Sequence, residues 1–452
     1  MHLRLNSRVP RLNFWQLFLL MVAAPTILAL LGVISALFQP DKDILSHLVK
    51  YVLPTAISNT LWLVIGVALI TTLLGVGLAW LTAVCEFPLR GFFVWALILP
   101  MAIPSYVMAF SLVGLFEYTG PVQALLRDFF GSSAWFPSIY SYGGVVMALS
   151  FALYPYTYMM ARNAFQTQGR RSLEAGQSLG FSIKKSFWKV SLPIARPWII
   201  GGTLLVIMET LSDFGAVAVF NYDTLTSAIY KSWFDLYSLP AALQVASVLL
   251  VFVVVITLLE RHSRSAQRFS QSRSIVLADQ RIHLSVVNRW LALLFCSLVF
   301  IAAFLLPCLR LLWWAAPHLD LVMTGRFWSY IVGSVTLALI AMVLITGLAL
   351  LTAFAARTDN SRFSAIAVRI STLGYAVPGT VLAVGLFAPI ALFDQWLAGS
   401  GVTAPLLQGT LVVMMLAYSV RFMAVAFTPL ENNLLRITPS IDAAAKSLGV
   451  SG

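Results

Sequence analysis

Charge is scarce in this chain: only 10% of its 452 residues are Asp, Glu, Lys or Arg, against 60% hydrophobic residues and a mean hydropathy of +0.89. A soluble domain keeps about a quarter of its residues charged, so the composition excludes a soluble globular protein. The three cysteines, Cys85, Cys296 and Cys308, have neither an even count nor metal spacing, and they read as ordinary apolar residues. The five histidines, His2, His47, His262, His283 and His318, all fall outside the long apolar runs. That excludes an intramembrane metalloprotease, which needs two histidines on one helix face, and equally a Ser/His dyad or a haem pair inside the bilayer. No lysine follows a glycine, so the chain has no Gly-x-x-x-x-Gly-Lys-Ser/Thr loop to cradle nucleotide phosphates. Neither catalytic residues nor a metal site are expected, and energy must come from elsewhere.

What the chain does have is apolar length. A helix needs about 20 residues to cross the hydrocarbon core, and charge-poor runs of that size occur near 14–38, 57–84, 91–116, 142–161, 197–220, 241–259, 290–315, 329–356, 365–393 and 406–430. They are continuous rather than alternating, which predicts an all-α polytopic membrane protein of about ten spans and not a β-barrel. The first run follows Arg4, Arg8 and Arg11 as a signal peptide would. It is too long for a signal h-region, and no small-x-small cleavage site follows it, so it reads as a retained span.

The formal charge of +12 raises the question of nucleic acid, and its placement answers it. With the N-terminus in the cytoplasm, 23 of the 29 basic residues fall on inside segments and five outside, with Arg310 inside a span. That asymmetry is the positive-inside rule. The linker 261–289 carries six arginines among serines and glutamines with almost no aromatic interleaving, so it reads as a solvated connector rather than a nucleic-acid patch.

The chain also repeats itself. Leu99-Pro100-Met101-Ala102-Ile103-Pro104-Ser105 returns in outline as Leu373-Gly374-Tyr375-Ala376-Val377-Pro378-Gly379, and the loop Glu174 to Gly180 returns as Ala443-Ala444-Ala445-Lys446-Ser447-Leu448-Gly449. The offsets, 274 and 269 residues, nearly agree, which implies duplicated halves. Six spans in the first half would make the halves parallel repeats. The expected organisation is an N-terminal tail and first span over 1–40, a first repeat over 41–260 with a polar loop at 162–196, the linker 261–289, and a second repeat over 290–452. A complete pair of repeats would have twelve spans, so the chain reads as a fragment.

Ionisable groups at bilayer depth are costly and face a bundle interior or a cavity. Glu209 and Asp213, four apart, would share one face of the fifth span. They could line a cation path, or pair structurally with Arg310 or neighbouring helices. Pro104 and Pro378, inside two spans, would each leave backbone carbonyls unpaired, giving matched kinks around a pathway or packing kinks alone. Asn59 and Ser334 read as interfacial or capping groups.

The sequence Glu174-Ala175-Gly176, three residues, Gly180, nine residues, Val190, Ser191, Leu192-Pro193 resembles the signature of ABC transporter permease subunits, with Gly176 in place of the second alanine. The double length resembles the ferric-iron importer subfamily, as do Glu209-Thr210-Leu211-Ser212-Asp213-Phe214-Gly215 and Asp223 to Trp233. Related fused permeases for thiamine share this architecture. The resemblance implies a coupling helix at Glu174, Ala175, Gly176 and Gly180, followed by Leu192 and Pro193, which docks on a cytoplasmic ATPase dimer. Ala443, Ala444, Ala445 and Gly449 would form a second one, with Ala443 replacing the acidic residue. It further implies a periplasmic or extracellular solute-binding protein, surrounding membrane lipid, no nucleic acid, no cofactor on this chain, ATP and Mg on the ATPase, and a bacterial inner-membrane location. The rival from another class is an ion-coupled secondary transporter using Glu209 and Asp213. It would need no ATPase, and it leaves the repeated loop without a role.

Overall fold

The structure is a computed structural model and describes residues 13–36, 38, 42–168, 171–265, 281–322, 324–359, 361–399, 406–434, 447 and 449. Lipid offers a backbone no hydrogen-bond partner, so each apolar run closes its own N–H and C=O groups as a helix. Among the described residues nine helices are long and apolar enough to cross a membrane, and a pair bent by 96°, Arg90–Ala102 with Ser105–Phe130, makes a tenth if counted as one span. The chain is a polytopic helical membrane protein.

By contact the chain forms two units, Met1–Pro40 with Met323–Gly452, and Asp41–Val322. Helix α1 (Phe14–Ser35) belongs to the former. The latter begins with α2 (Lys42–His47), α3 (Leu53–Val84), strand β1 (Cys85–Glu86), α4 (Arg90–Ala96), α5 (Ser105–Phe116), α6 (Pro121–Phe130) and α7 (Tyr142–Gln168). It continues through α8 (Arg171–Ser178), α9 (Ile183–Ser186), α10 (Leu192–Ser212), α11 (Gly215–Val219), α12 (Leu225–Tyr230) and α13 (Leu239–Ser265). Strand β2 (Ile282–His283), α14 (Val286–Phe300), α15 (Leu306–Ala315) and α16 (Leu319–Val322) complete it.

Helices α3, α7 and α10 pack on one another at the centre of this unit, burying Leu63, Val67, Leu149 and Val206. Polar side chains in these spans find partners locally: Thr60, Thr71 and Thr82 each donate to the carbonyl four residues back at 2.7–2.8 Å, and the Thr72 and Thr203 hydroxyls meet at 2.8 Å. Strands β1 and β2 pair in parallel, Cys85 opposite Ile282, and Arg281 Nη1 lies 3.1 Å from Glu86 Oε2. The end of the basic linker is thereby tied to the end of α3.

The other unit gathers α1, α17 (Gly325–Thr358), α18 (Arg362–Leu373), α19 (Gly379–Gly399) and α20 (Leu411–Leu434) around Leu19, Ala349, Ala353, Met423 and Phe427. Helices α1 and α19 cross at glycine: a β-carbon on Gly32 would lie 2.6 Å from the Gly385 carbonyl oxygen. This grouping cuts across the sequence halves. Helix α1 sits with α17 to α20, whereas α14 and α15 sit with α2 to α13.

Three expected spans are corrected. The run 91–116 is broken between Ala102 and Ser105, the run 365–393 is broken between α18 and α19, and the run 197–220 is helical only to Ser212 before restarting as α11. In each case a proline or a capping carboxylate supplies the break.

Candidate functional site

The polar loop is two short helices folded back on each other. Helix α8 carries Glu174 and Ala175 on its exposed side, with Gln177 and Ser178, while Gly176 is buried. It ends in a Schellman motif: the Phe181 N–H donates to the Gly176 carbonyl at 3.0 Å and the Gly180 N–H to that of Gln177 at 2.8 Å. Gly180 takes φ +76°, a left-handed conformation that costs a side-chain-bearing residue energy. Ser182 then caps α9, accepting from the Lys185 N–H at 3.4 Å.

Gly176 has no β-carbon because Ser186 of α9 occupies that space: a β-carbon at 176 would lie 2.7 Å from Ser186 Cβ and closer still to its hydroxyl. Phe181, at the turn, lies under two cations, Lys185 Nζ at 4.6 Å and Lys189 Nζ at 5.9 Å from the ring centre. Lys185 and Lys189 are thereby held on the α9 side, and Leu179, just after α8, is 69% exposed. The surface that α8 presents from Glu174 onward is small and mixed, one carboxylate beside alanine, glutamine and serine, and it ends in a fixed turn.

Leu192 and Pro193 open α10, which follows α9 without an interruption of the helical path. They lie within a helical stretch from Ile183 to Ser212, just after a π-type turn over Phe187–Ser191 in which the Leu192 N–H reaches back to the Phe187 carbonyl. Pro193 follows at the first turn of α10, where its missing N–H is accommodated by that wider turn.

In the second copy of the loop, Gly449 repeats the left-handed turn with φ +80°, whereas Ala443, Ala444 and Ala445 lie outside the described residues.

Pro104 and Pro378 occupy helix breaks rather than the interiors of continuous spans. The Ile103 N–H donates to the Pro100 carbonyl at 3.0 Å and the Val377 N–H to that of Gly374 at 3.3 Å. The Pro104 carbonyl then accepts from Met108, and the Pro378 carbonyl from Leu382, each at 3.0 Å. The same pair of hydrogen bonds thus recurs at the repeat offset. A neighbouring span satisfies carbonyls at each break: Tyr154 of α7 donates its hydroxyl to Leu97 O at 2.8 Å, and Arg421 of α20 donates to Tyr375 O at 3.0 Å and Val377 O at 2.7 Å. Arg421, one of the 23 basic residues assigned to inside segments by sequence, is therefore a guanidinium within the span Leu411–Leu434. Sequence reading missed it, although a lone arginine in an apolar run was the available signal.

Glu209 and Asp213 do not share a helix face. Asp213 leaves α10 in an extended conformation, and its carboxylate is filled by other donors: Oδ1 accepts from the N–H groups of Ala216 at 2.8 Å and Val217 at 3.3 Å, and Oδ2 from the Ser105 hydroxyl. Thr226 donates to its backbone carbonyl at 2.7 Å. Asp213 therefore fastens the start of α5, beside Pro104, to the start of α11 and to α12. Glu209 remains on α10, half-buried. Arg310 lies over the Trp314 ring at 4.4 Å. Among the described residues no three His, Cys, Asp or Glu side chains come together as a metal site would require.

Residues 72–268 match the family described as binding-protein-dependent transport system inner membrane component. The chain is 26% identical over 397 residues to the Fe(3+)-transport system permease protein FbpB 2 of Haemophilus influenzae, covering 87% of this chain and 72% of that protein. It is 27% identical over 187 residues to the molybdenum transport system permease protein ModB of Escherichia coli, covering 41% and 80%. It is 29% identical over 216 residues to the sulfate transport system permease protein CysW of a Synechocystis species, covering 45% and 75%.

Proposed function

Because the chain is a member of the ABC importer permease family, we propose that it forms the pathway by which ferric iron crosses a bacterial inner membrane. ATP hydrolysis in a separate ATPase drives that passage. The coupling reading is carried by one observation: α8 exposes Glu174 and Ala175, and the turn after it Leu179, while the buried side of α8 and its exit are fixed by Ser186 and Gly180. A rigid, exposed helix of this kind can transmit a push without deforming. The chain carries no P-loop of its own, so ATP and Mg belong to the partner, and a solute-binding protein on the opposite face supplies the cargo.

The N-terminus lies in the cytoplasm in this reading, which puts α8 and the basic linker on the ATPase side. Ala443, Ala444, Ala445 and Gly449 serve as the second docking element. In this reading each unit offers its own candidate pathway residues, Pro104, Glu209 and Asp213 in one and Pro378 in the other.

Ferric iron is favoured because the likeness to an iron permease runs through both halves, whereas the likenesses to ModB and CysW cover less than half of the chain. Ion-coupled secondary transport is disfavoured by the Asp213 carboxylate, whose two oxygens are already committed to Ser105, Ala216 and Val217.

Reconstitution of the full-length protein with its ATPase and binding protein tests both parts. Glu174→Arg should abolish assembly with the ATPase and binding-protein-stimulated hydrolysis while leaving the permease folded. Unchanged assembly and hydrolysis would overturn the coupling assignment. Uptake of ferric iron, with none of molybdate, sulfate or thiamine, is the expected specificity, and the reverse pattern would overturn the substrate.

A further inference from the structure

Helix α6 is amphipathic in the opposite sense to a helix packed on a soluble core. Val122, Leu125, Leu126, Phe129 and Phe130 make its apolar stripe, yet Leu125 is 56% exposed, Phe129 81% and Phe130 70%. The polar side faces the protein instead. Gln123 is buried and donates to Phe116 O at 2.9 Å, and Arg127 donates to Tyr118 O at 2.8 Å while its guanidinium covers the Tyr118 ring at 4.4 Å. After the helix, Trp135, 64% exposed, meets the Phe130 ring edge-on at 6.3 Å.

Water does not favour such an arrangement, because a contiguous exposed apolar patch signals a surface that something covers. The neighbours of α6 identify what covers it. It is joined to the ends of two membrane helices, Phe116 of α5 and Tyr142 of α7, at the opposite end of α7 from α8. A helix at that level has the lipid boundary beside it, and phenylalanine and tryptophan are the side chains that settle between headgroups and acyl chains.

We propose that α6 is an interfacial helix, with Leu125, Phe129, Phe130 and Trp135 resting in the headgroup and upper acyl region of the leaflet away from the coupling loop. Gln123 and Arg127 lock its other face to the protein, so α6 anchors the outer end of the broken α4–α5 span. The inference depends on the membrane fold alone and stands whichever solute is carried.

The test uses the full-length permease in phosphatidylethanolamine–phosphatidylglycerol vesicles, with Cys85, Cys296 and Cys308 replaced by alanine and an environment-sensitive fluorophore on Phe129→Cys or, separately, Leu125→Cys. Asp128→Cys, at the wet edge of the helix, is the reference. The expected result is iodide quenching several-fold weaker at 129 and 125 than at 128, together with strong quenching by lipid carrying a nitroxide high on its acyl chain. Iodide quenching equal at all three positions would overturn the proposal. So would stronger quenching by a nitroxide near the chain end, which would mean deep burial, or shielding that appears only when the solute-binding protein is added, which would make the patch a protein-docking surface.

Discussion

Gly176 lies directly against Ser186, so that a β-carbon on the glycine would stand 2.7 Å from that of the serine. The two positions are coupled: where the permease signature has alanine, this chain has glycine, and a serine fills the volume released. Gly176→Ala is expected to overpack the α8–α9 contact by about 1–3 kcal/mol, lowering the thermal midpoint and weakening ATPase stimulation. Ser186→Gly should remove most of that loss in the double variant. Thermal unfolding of the four proteins in a double-mutant cycle checks this, and equal effects of Gly176→Ala in both backgrounds would refute the coupling.

The carboxylate of Asp213 acts as a bracket between α5, α11 and α12. Asp213→Asn keeps an acceptor for the Ala216 and Val217 N–H groups and is expected to leave stability and uptake near those of the parent. Asp213→Ala leaves those buried donors unpaired, at a cost of about 1–3 kcal/mol, and should impair both. Loss of uptake in the asparagine variant with stability intact would instead assign the charge itself to transport.

Helical spans, and nearly their number, were legible because lipid makes apolar length nearly synonymous with a helix. The breaks were legible as prolines but not as breaks. Pro104 and Pro378 read as kinks, and only the carbonyl partners on other spans, Tyr154 and Arg421, reveal ordered interruptions. Glu209 and Asp213 read as one helix face because spacing of four implies it. Asp213 escapes that rule by leaving α10 to hold the start of α11, a choice made by Ser105 more than a hundred residues away. Likewise Gly176 read as a departure from the signature until Ser186 supplied its reason. Long-range partners carry what local pattern cannot.

Arg421 holds the second helix break through Tyr375 O and Val377 O, with its guanidinium 5.4 Å from the Tyr375 ring centre. Removing it strands two carbonyls beside a span, where no water replaces the lost donors. Arg421→Met is expected to cost about 1–3 kcal/mol or more for the stranded groups, while Arg421→Lys, a point charge without the planar fork, should recover only part. Melting temperatures in detergent with uptake measured in parallel check the order: parent, lysine, methionine.

Asp359 closes the turn between α17 and α18, accepting from the Ser364 hydroxyl at 2.8 Å and from the Ser361 N–H at 3.2 Å. These donors favour the ionised form: the Ser364 hydroxyl above all, then Gln16 of α1 and Ser361, hold its carboxyl below its ordinary value. A carboxylate depressed in this way stabilises the folded state above the unfolded aspartate value of about 3.9, and the contribution fades as pH falls through the lower native value. Asp359→Asn should therefore lower the thermal midpoint by a constant amount from neutral pH down to about pH 5, and the two proteins should converge at more acid pH. Convergence is the informative part, because a purely steric effect of the amide would persist there. A gap that persists or widens in acid would place the role of Asp359 in shape rather than in charge.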